Sequence, residues 1–144
     1  MVAIIIGTHG SFSEEILKSS EMIFGKQENI AYVTFKPGES ADNLVSKYKD
    51  EIQKLDCKDG LIFMVDLFGG SPFNAASRIA VSNENMDIVT GISLPMLLET
   101  FGAREHSSVE ELVGVAKKAA FEGAKSLKEV LKNNKNSDEG EGDL

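Results

Sequence analysis

Two side chains and one glycine-rich turn carry the chemical potential of this sequence. His9 follows the apolar run "IIIG", and Asp66 follows "LIFMV" and precedes "LFGGSP". An imidazole attacks through whichever ring nitrogen lacks a proton, and a carboxylate that accepts a hydrogen bond from the other ring N–H fixes the tautomer and the ring orientation. The same carboxylate stabilises the positive charge that builds on the ring as a bond forms. Gly69, Gly70, Ser71 and Pro72 supply the complement: backbone amides at a helix start, the positive end of a helix dipole and a hydroxyl, a combination that receives anions. Gly10 and Ser11 are expected to present a second set of amides to the same anion. Singly, each feature has a plain structural reading as a loop histidine, a bracing carboxylate or an ordinary strand-to-helix turn. Combined, they read as a histidine that takes up a phosphoryl group, with catalysis by positioning and electrostatics.

That reading requires His9 and Asp66 to meet, and the order of elements predicts that they do. Short apolar runs alternate with amphipathic stretches, the pattern of a parallel sheet covered by helices on both faces. Strands are predicted over Val2 to Ile6, Ile30 to Phe35, Leu61 to Val65 and Asp87 to Ile92. A first helix, about Ser13 to Phe24, places Ile16, Leu17, Ile23 and Phe24 on one face, with Ser11 and Glu14 as a capping box. A second, Ser40 to Leu55, aligns Leu44, Val45, Tyr48, Ile52 and Leu55. A third starts with Ser71 as N-cap and Pro72 at the first helical position, burying Phe73, Ala76, Ile79 and Ala80. Pro95 opens a short helix, and Ser108 with Glu111 caps a last one that runs to about Gly123.

Four strand–helix units with right-handed crossovers give a doubly wound α/β sandwich, most simply a mainly parallel sheet of order 2-1-3-4. The winding direction then reverses between strands 1 and 3. A crevice opens at their carboxyl ends, where open α/β sheets bind ligands, and His9 and Asp66 fall on its two sides.

Composition restricts the alternatives. A chain of 144 residues with 42% hydrophobic content and a net charge of −8 suits one compact domain and disfavours nucleic acid or an anionic membrane as partner. Four of its acids, Asp138, Glu139, Glu141 and Asp143, fall in the last seven residues. From Asn133 the periodicity stops, which predicts a disordered acidic tail or linker stub over 131–144, after a domain spanning 1–130. No apolar run approaches the roughly 20 residues of a bilayer span, and no signal peptide is recognisable, so a cytoplasmic protein is expected. The single Cys57 and the two histidines, His9 and His106, show no zinc-ligand spacing, so no metal site is expected. His106 lies in a polar stretch without a strand before it or glycines after it, and reads as solvated. No nucleotide-binding glycine loop is present.

The stretches "IIIGTHG", "FMVDLFGGSPFNAASRI" and "GISLPMLLET" closely resemble the enzyme IIA domains of the mannose class of the bacterial phosphoenolpyruvate-dependent sugar phosphotransferase system. The resemblance covers residues 1 to about 130 through three separated motifs in matching order. It implies that His9 carries the phosphoryl group on Nε2, that Asp66 orients it and that Ser71 helps to hold the phosphate. It further implies that His9 receives the group from the histidine-containing phosphocarrier protein and passes it to a IIB component, which serves the IIC and IID membrane subunits, with no cofactor at this step. A peripheral association with the membrane through those partners follows. A homodimer that exchanges an antiparallel edge strand is implied as well, for which Gly123 to Leu127 is the candidate segment. Two other functions fit the same residues: the phosphocarrier subunit that feeds a dihydroxyacetone kinase, and a regulatory module that uses the fold without chemistry. The "GGSPFNAA" turn favours the sugar transporter group.

Overall fold

A computed structural model describes the backbone of residues 1–141 and the side chains of residues 1–136. The chain runs β1 (Ala3–His9), α1 (Phe12–Phe24), β2 (Ile30–Phe35), α2 (Ala41–Lys54), β3 (Leu61–Val65), α3 (Ser71–Ala80), β4 (Met86–Thr90), α4 (Leu94–Ala103), a 3₁₀ turn (Arg104–His106), α5 (Val109–Gly123) and α6 (Leu127–Glu141). The four strands form one parallel sheet of order β2-β1-β3-β4, as the sequence predicts. β1 and β3 are buried on both faces, which is why they read as unbroken apolar runs rather than alternating ones.

Alternation along the strands divides the core into two layers. Ile4, Ile6, Ile62 and Met64 meet residues of α1, α4 and α5, among them Leu17, Met96, Leu97 and Leu112. Ala3, Ile5, Leu61 and Phe63 meet α2 and α3 through Leu44, Tyr48, Ala75, Ala76 and Ile79. The alternation continues to the end of β1, so Thr8 serves the α1 side and His9 the α3 side.

Several details depart from the sequence reading. β1 does not stop at Ile6. Gly7 pairs in register with Val33 and Val65, and the β1–β2 ladder extends to His9 and Phe35. Ser11 is the N-cap of α1 but makes no side-chain cap bond. Thr8 does that work instead: its buried hydroxyl accepts the Ser13 amide at 2.7 Å, and Ser13 Oγ donates to the Val33 carbonyl at 2.8 Å. Ile16 and Leu17 are buried as expected, whereas Ile23 and Phe24 lie on an exposed face beside Met22. Gly70 rather than Ser71 caps α3. The boxes at Ser40–Asn43 and Ser108–Glu111 both close.

The C-terminal expectations fare differently. Gly123 ends α5, residues 124–126 form a short link that leaves α5 through an extended Ala124, and α6 follows, with the Ser126 hydroxyl accepting the Glu129 amide at 3.3 Å. The four strands of the sheet are all parallel, so among the described residues Gly123 to Leu127 adds no antiparallel strand within this chain. α6 covers most of the stretch read as a tail; its side chains are exposed as far as they are described. The side chains of Asp138, Glu139 and Glu141, and all of Asp143, lie outside the described residues. Among the described residues, no helix is long and apolar enough to cross a membrane.

Arg104, which no sequence pattern singles out, ties the layers together at the amino end of the sheet. It is 1% exposed. Its guanidinium donates to the carbonyls of Val2, Glu28 and Asn29 at 2.6 to 3.2 Å. Burial pulls its pKa down to about 10, which leaves it charged at neutral pH. Arg104→Met fills the space but removes five donors and leaves carbonyls underbonded. We expect a loss of about 3 kcal/mol, read as a fall of about 10 °C in a calorimetric melting temperature.

Candidate functional site

β1 and β3 are neighbours whose connections leave in opposite directions, and the crevice at their carboxyl ends holds the predicted residues. His9 is the last residue of β1, and Asp66 follows β3 directly. One carboxylate oxygen, Oδ2, accepts both the His9 backbone amide at 3.0 Å and His9 Nδ1 at 2.8 Å. The other, Oδ1, accepts the Leu67 amide at 3.1 Å. An ionised carboxylate only accepts, so in the neutral imidazole this contact places the ring proton on Nδ1 and the lone pair on Nε2. The imidazole is 45% exposed and its partner 17%, so the ring stands open to solvent while the carboxylate is largely covered. Phe35 closes one flank edge-on, with ring centroids 5.9 Å apart.

α3 starts immediately beside the ring. Gly69 has φ +83, a left-handed turn that favours glycine. Gly70 has an ordinary φ of −73, and its reason for being glycine is proximity: a Cβ there would lie 2.9 Å from His9 Cε1 and 3.5 Å from Nε2. Ser71 and Phe73 occupy the first turn, where amides have no intrahelical acceptor, and Pro72 between them lacks an N–H. Asn74 braces the turn from below, with its side chain donating to the Gly69 carbonyl at 3.0 Å and its amide to the Gly70 carbonyl at 2.8 Å.

Gly10 departs from expectation. It takes φ +59, and its amide donates to the Phe35 carbonyl at 2.8 Å while its carbonyl accepts from Phe35 at 3.3 Å. That amide is therefore engaged with β2 rather than offered to an anion, and Gly10 serves the turn. Ser11 is exposed at the start of α1, on the same rim as His9. His106 lies in the 3₁₀ turn beside Arg104, at the amino end of the sheet and away from the crevice.

Two parts of this site, Phe35 and Asn74, are not among the residues that the sequence pattern marks. Asn74 carries a usable signal, an amide side chain four residues after the capping glycine. Phe35 carries none, because its place opposite His9 depends on the β1–β2 register.

Fold and site together define a doubly wound α/β protein that presents a carboxylate-oriented histidine against a helix amino terminus. Residues 3–117 match the family model EIIA-man, described as the PTS system fructose IIA component. The chain is 48% identical over 128 residues to the PTS system mannose-specific EIIAB component of Escherichia coli strain K12, covering 88% of this chain and 40% of that relative. It is 37% identical over 113 residues to the PTS system fructose-specific EIIA component of Bacillus subtilis strain 168, covering 78% and 77% of the two chains. The crystal structure of phosphotransferase system component EIIA from Streptococcus agalactiae superimposes with a TM-score of 0.81 at 30% identity, over 89% of this chain and 98% of that one. The chain belongs to the PTS fructose/mannose IIA family.

Proposed function

We propose that this protein is a phosphoryl carrier in sugar uptake: His9 accepts a phosphoryl group from the histidine-containing phosphocarrier protein and passes it to a IIB component. The observation that carries the reading is the grip of one Asp66 oxygen on both the amide and Nδ1 of His9, with Nε2 left beside the amino end of α3. The Nε2 lone pair attacks phosphorus, the P–N bond to the donor histidine breaks, and its electron pair returns to the donor ring. The Nδ1 proton stays on its bond to Asp66, whose charge balances the phosphorylated ring. The Ser71 and Phe73 amides, the dipole of α3 and the Ser71 hydroxyl face the phosphoryl oxygens, and Gly69 and Gly70 let the backbone come close. Ser11 lines the opposite rim. Transfer to IIB reverses the same step.

The surroundings suit a macromolecular donor. Phe12, Leu67 and Phe68 are 46%, 60% and 79% exposed, close in sequence to the catalytic pair, and Phe68 rests on Phe73 with centroids 4.5 Å apart. An apolar rim of this kind marks a surface for protein contact.

The decisive experiment is incubation with radiolabelled phosphoenolpyruvate, enzyme I and the phosphocarrier. We expect a label that is lost in acid, survives base and maps to the peptide containing His9. A label on His106, or none at all, overturns the proposal. Gly70→Ala makes a finer prediction. Its methyl group adds no backbone strain but presses on Cε1 of the ring, so uptake should slow about tenfold, the order expected for a displaced reacting group. The initial rate of labelling measures this, and the melting temperature should stay within about 2 °C.

A further inference from the structure

Tyr48 is a fully buried polar side chain that the mechanism above does not use. It lies mid-way along α2, is 0% exposed and reaches under the crevice. Its hydroxyl donates to the Pro72 carbonyl, in the first turn of α3, at 3.0 Å. Its ring meets Phe63 of β3 edge-on, with centroids 5.1 Å apart. The third contact is with β1. A Cβ on Gly7 would collide with the Tyr48 hydroxyl and come within 2.8 Å of Cζ. Gly7 pairs on both sides within the sheet, so its missing side chain does not end the strand. It leaves a notch that the phenol fills.

The three contacts touch the three elements that build the site. Gly7 precedes His9 by two residues on the same face of β1, Phe63 precedes Asp66 by three, and Pro72 follows the Gly70–Ser71 turn. The phenol is also near enough to the Asp66 charge for that charge, after burial, to raise its pKa further. It therefore stays protonated, as the donor to Pro72 must be.

We infer that Tyr48 is a positioning residue for phosphoryl transfer: seated in the Gly7 notch and bonded to the Pro72 carbonyl, it holds the amino end of α3 in fixed register with His9. The inference rests on the phosphoryl-carrier reading of His9. Without the bond the α3 amides shift relative to Nε2, and a misplacement on the order of 1 Å is enough to cost up to a hundredfold in rate.

Tyr48→Phe tests this, because it keeps the ring in the notch and deletes only the donor. We expect kcat for phosphoryl uptake to fall about tenfold, KM for the phosphocarrier to stay within about twofold because no docking surface changes, and the phosphorus-31 resonance of the phosphohistidine to move. Leu112→Val, in the opposite core layer, should lose stability without any of these changes. Incorporation of 3-fluorotyrosine, which retains the donor, should preserve the rate. If Tyr48→Phe fails to fold, the fluorine-19 resonance of residue 48 in the labelled wild-type chain decides: it should shift when His9 is phosphorylated, while that of exposed Tyr32 does not. Unchanged kcat and phosphorus resonance in Tyr48→Phe, or a fluorine signal blind to phosphorylation, overturns the inference. A wild-type chain that takes no label on His9 instead overturns the underlying function.

Discussion

His9→Ala is expected to accept no phosphoryl group from the phosphocarrier while remaining folded. The loss should be complete because no second nucleophile can reach the same phosphorus. The other histidine, His106, sits at the amino end of the sheet, away from the crevice. Folding should survive because the deleted ring is half exposed. Asp66 keeps the backbone amides of residue 9 and Leu67 as donors, so its charge is not stranded. Label incorporation at background level, with a melting temperature within about 3 °C of wild type, is the expected pair of results. Retained label would show that the phosphoryl group travels by another residue and would remove His9 from the mechanism.

The pairing behind that result was legible in the sequence, but its geometry was not. Each of the two residues ends a buried apolar run, and crossover handedness in a parallel sheet restricts which strands are neighbours. Those two facts bring His9 and Asp66 together. The convergence of two His9 donors on one oxygen, however, depends on contacts across 57 residues of sequence, which no local pattern encodes. Gly7 shows the same limit from the other side. In isolation a glycine after "III" reads as a strand terminator. Its actual role is to admit Tyr48, whose place on a helical stripe looks like ordinary core.

Misread details share a cause. Ser11 and Glu14 form a correct local signature for a capping box, yet Thr8, three residues before Ser11 and still on β1, offers the Ser13 amide a buried acceptor and takes it. Ile23 and Phe24 continue the apolar periodicity of α1 past the part of the helix that the sheet covers, so burial ends where the neighbouring layer ends. α6 forms under a Ser126 cap in a stretch whose early residues, Leu127 to Lys132, are good helix formers apart from Val130. Local rules thus succeeded where a single element decides, and failed where a second element competes for the same group.

Asp66→Asn is the substitution that separates orientation from charge, and it should be the second most damaging. The asparagine is isosteric, so the turn into α3 should fold as before, but its amide has only one acceptor oxygen where the carboxylate uses two. If that oxygen serves His9, the NH₂ group faces the Leu67 amide, donor against donor; if it serves Leu67, the NH₂ group faces the donors of His9. In the second arrangement the ring is driven to the tautomer with its proton on Nε2, which removes the attacking lone pair. Either way the negative charge that balances the phosphorylated imidazole is gone. We expect kcat for uptake from the phosphocarrier to fall by about 10²- to 10³-fold, the scale at which electrostatic preorganisation and tautomer control are felt. KM should change little, because Asp66 is only 17% exposed and offers little surface to a docking partner. Stopped-flow or rapid-quench transfer assays distinguish the two parameters. A rate within threefold of wild type would mean that the carboxylate is only a brace for the Leu67 turn, and that another group sets the histidine for attack.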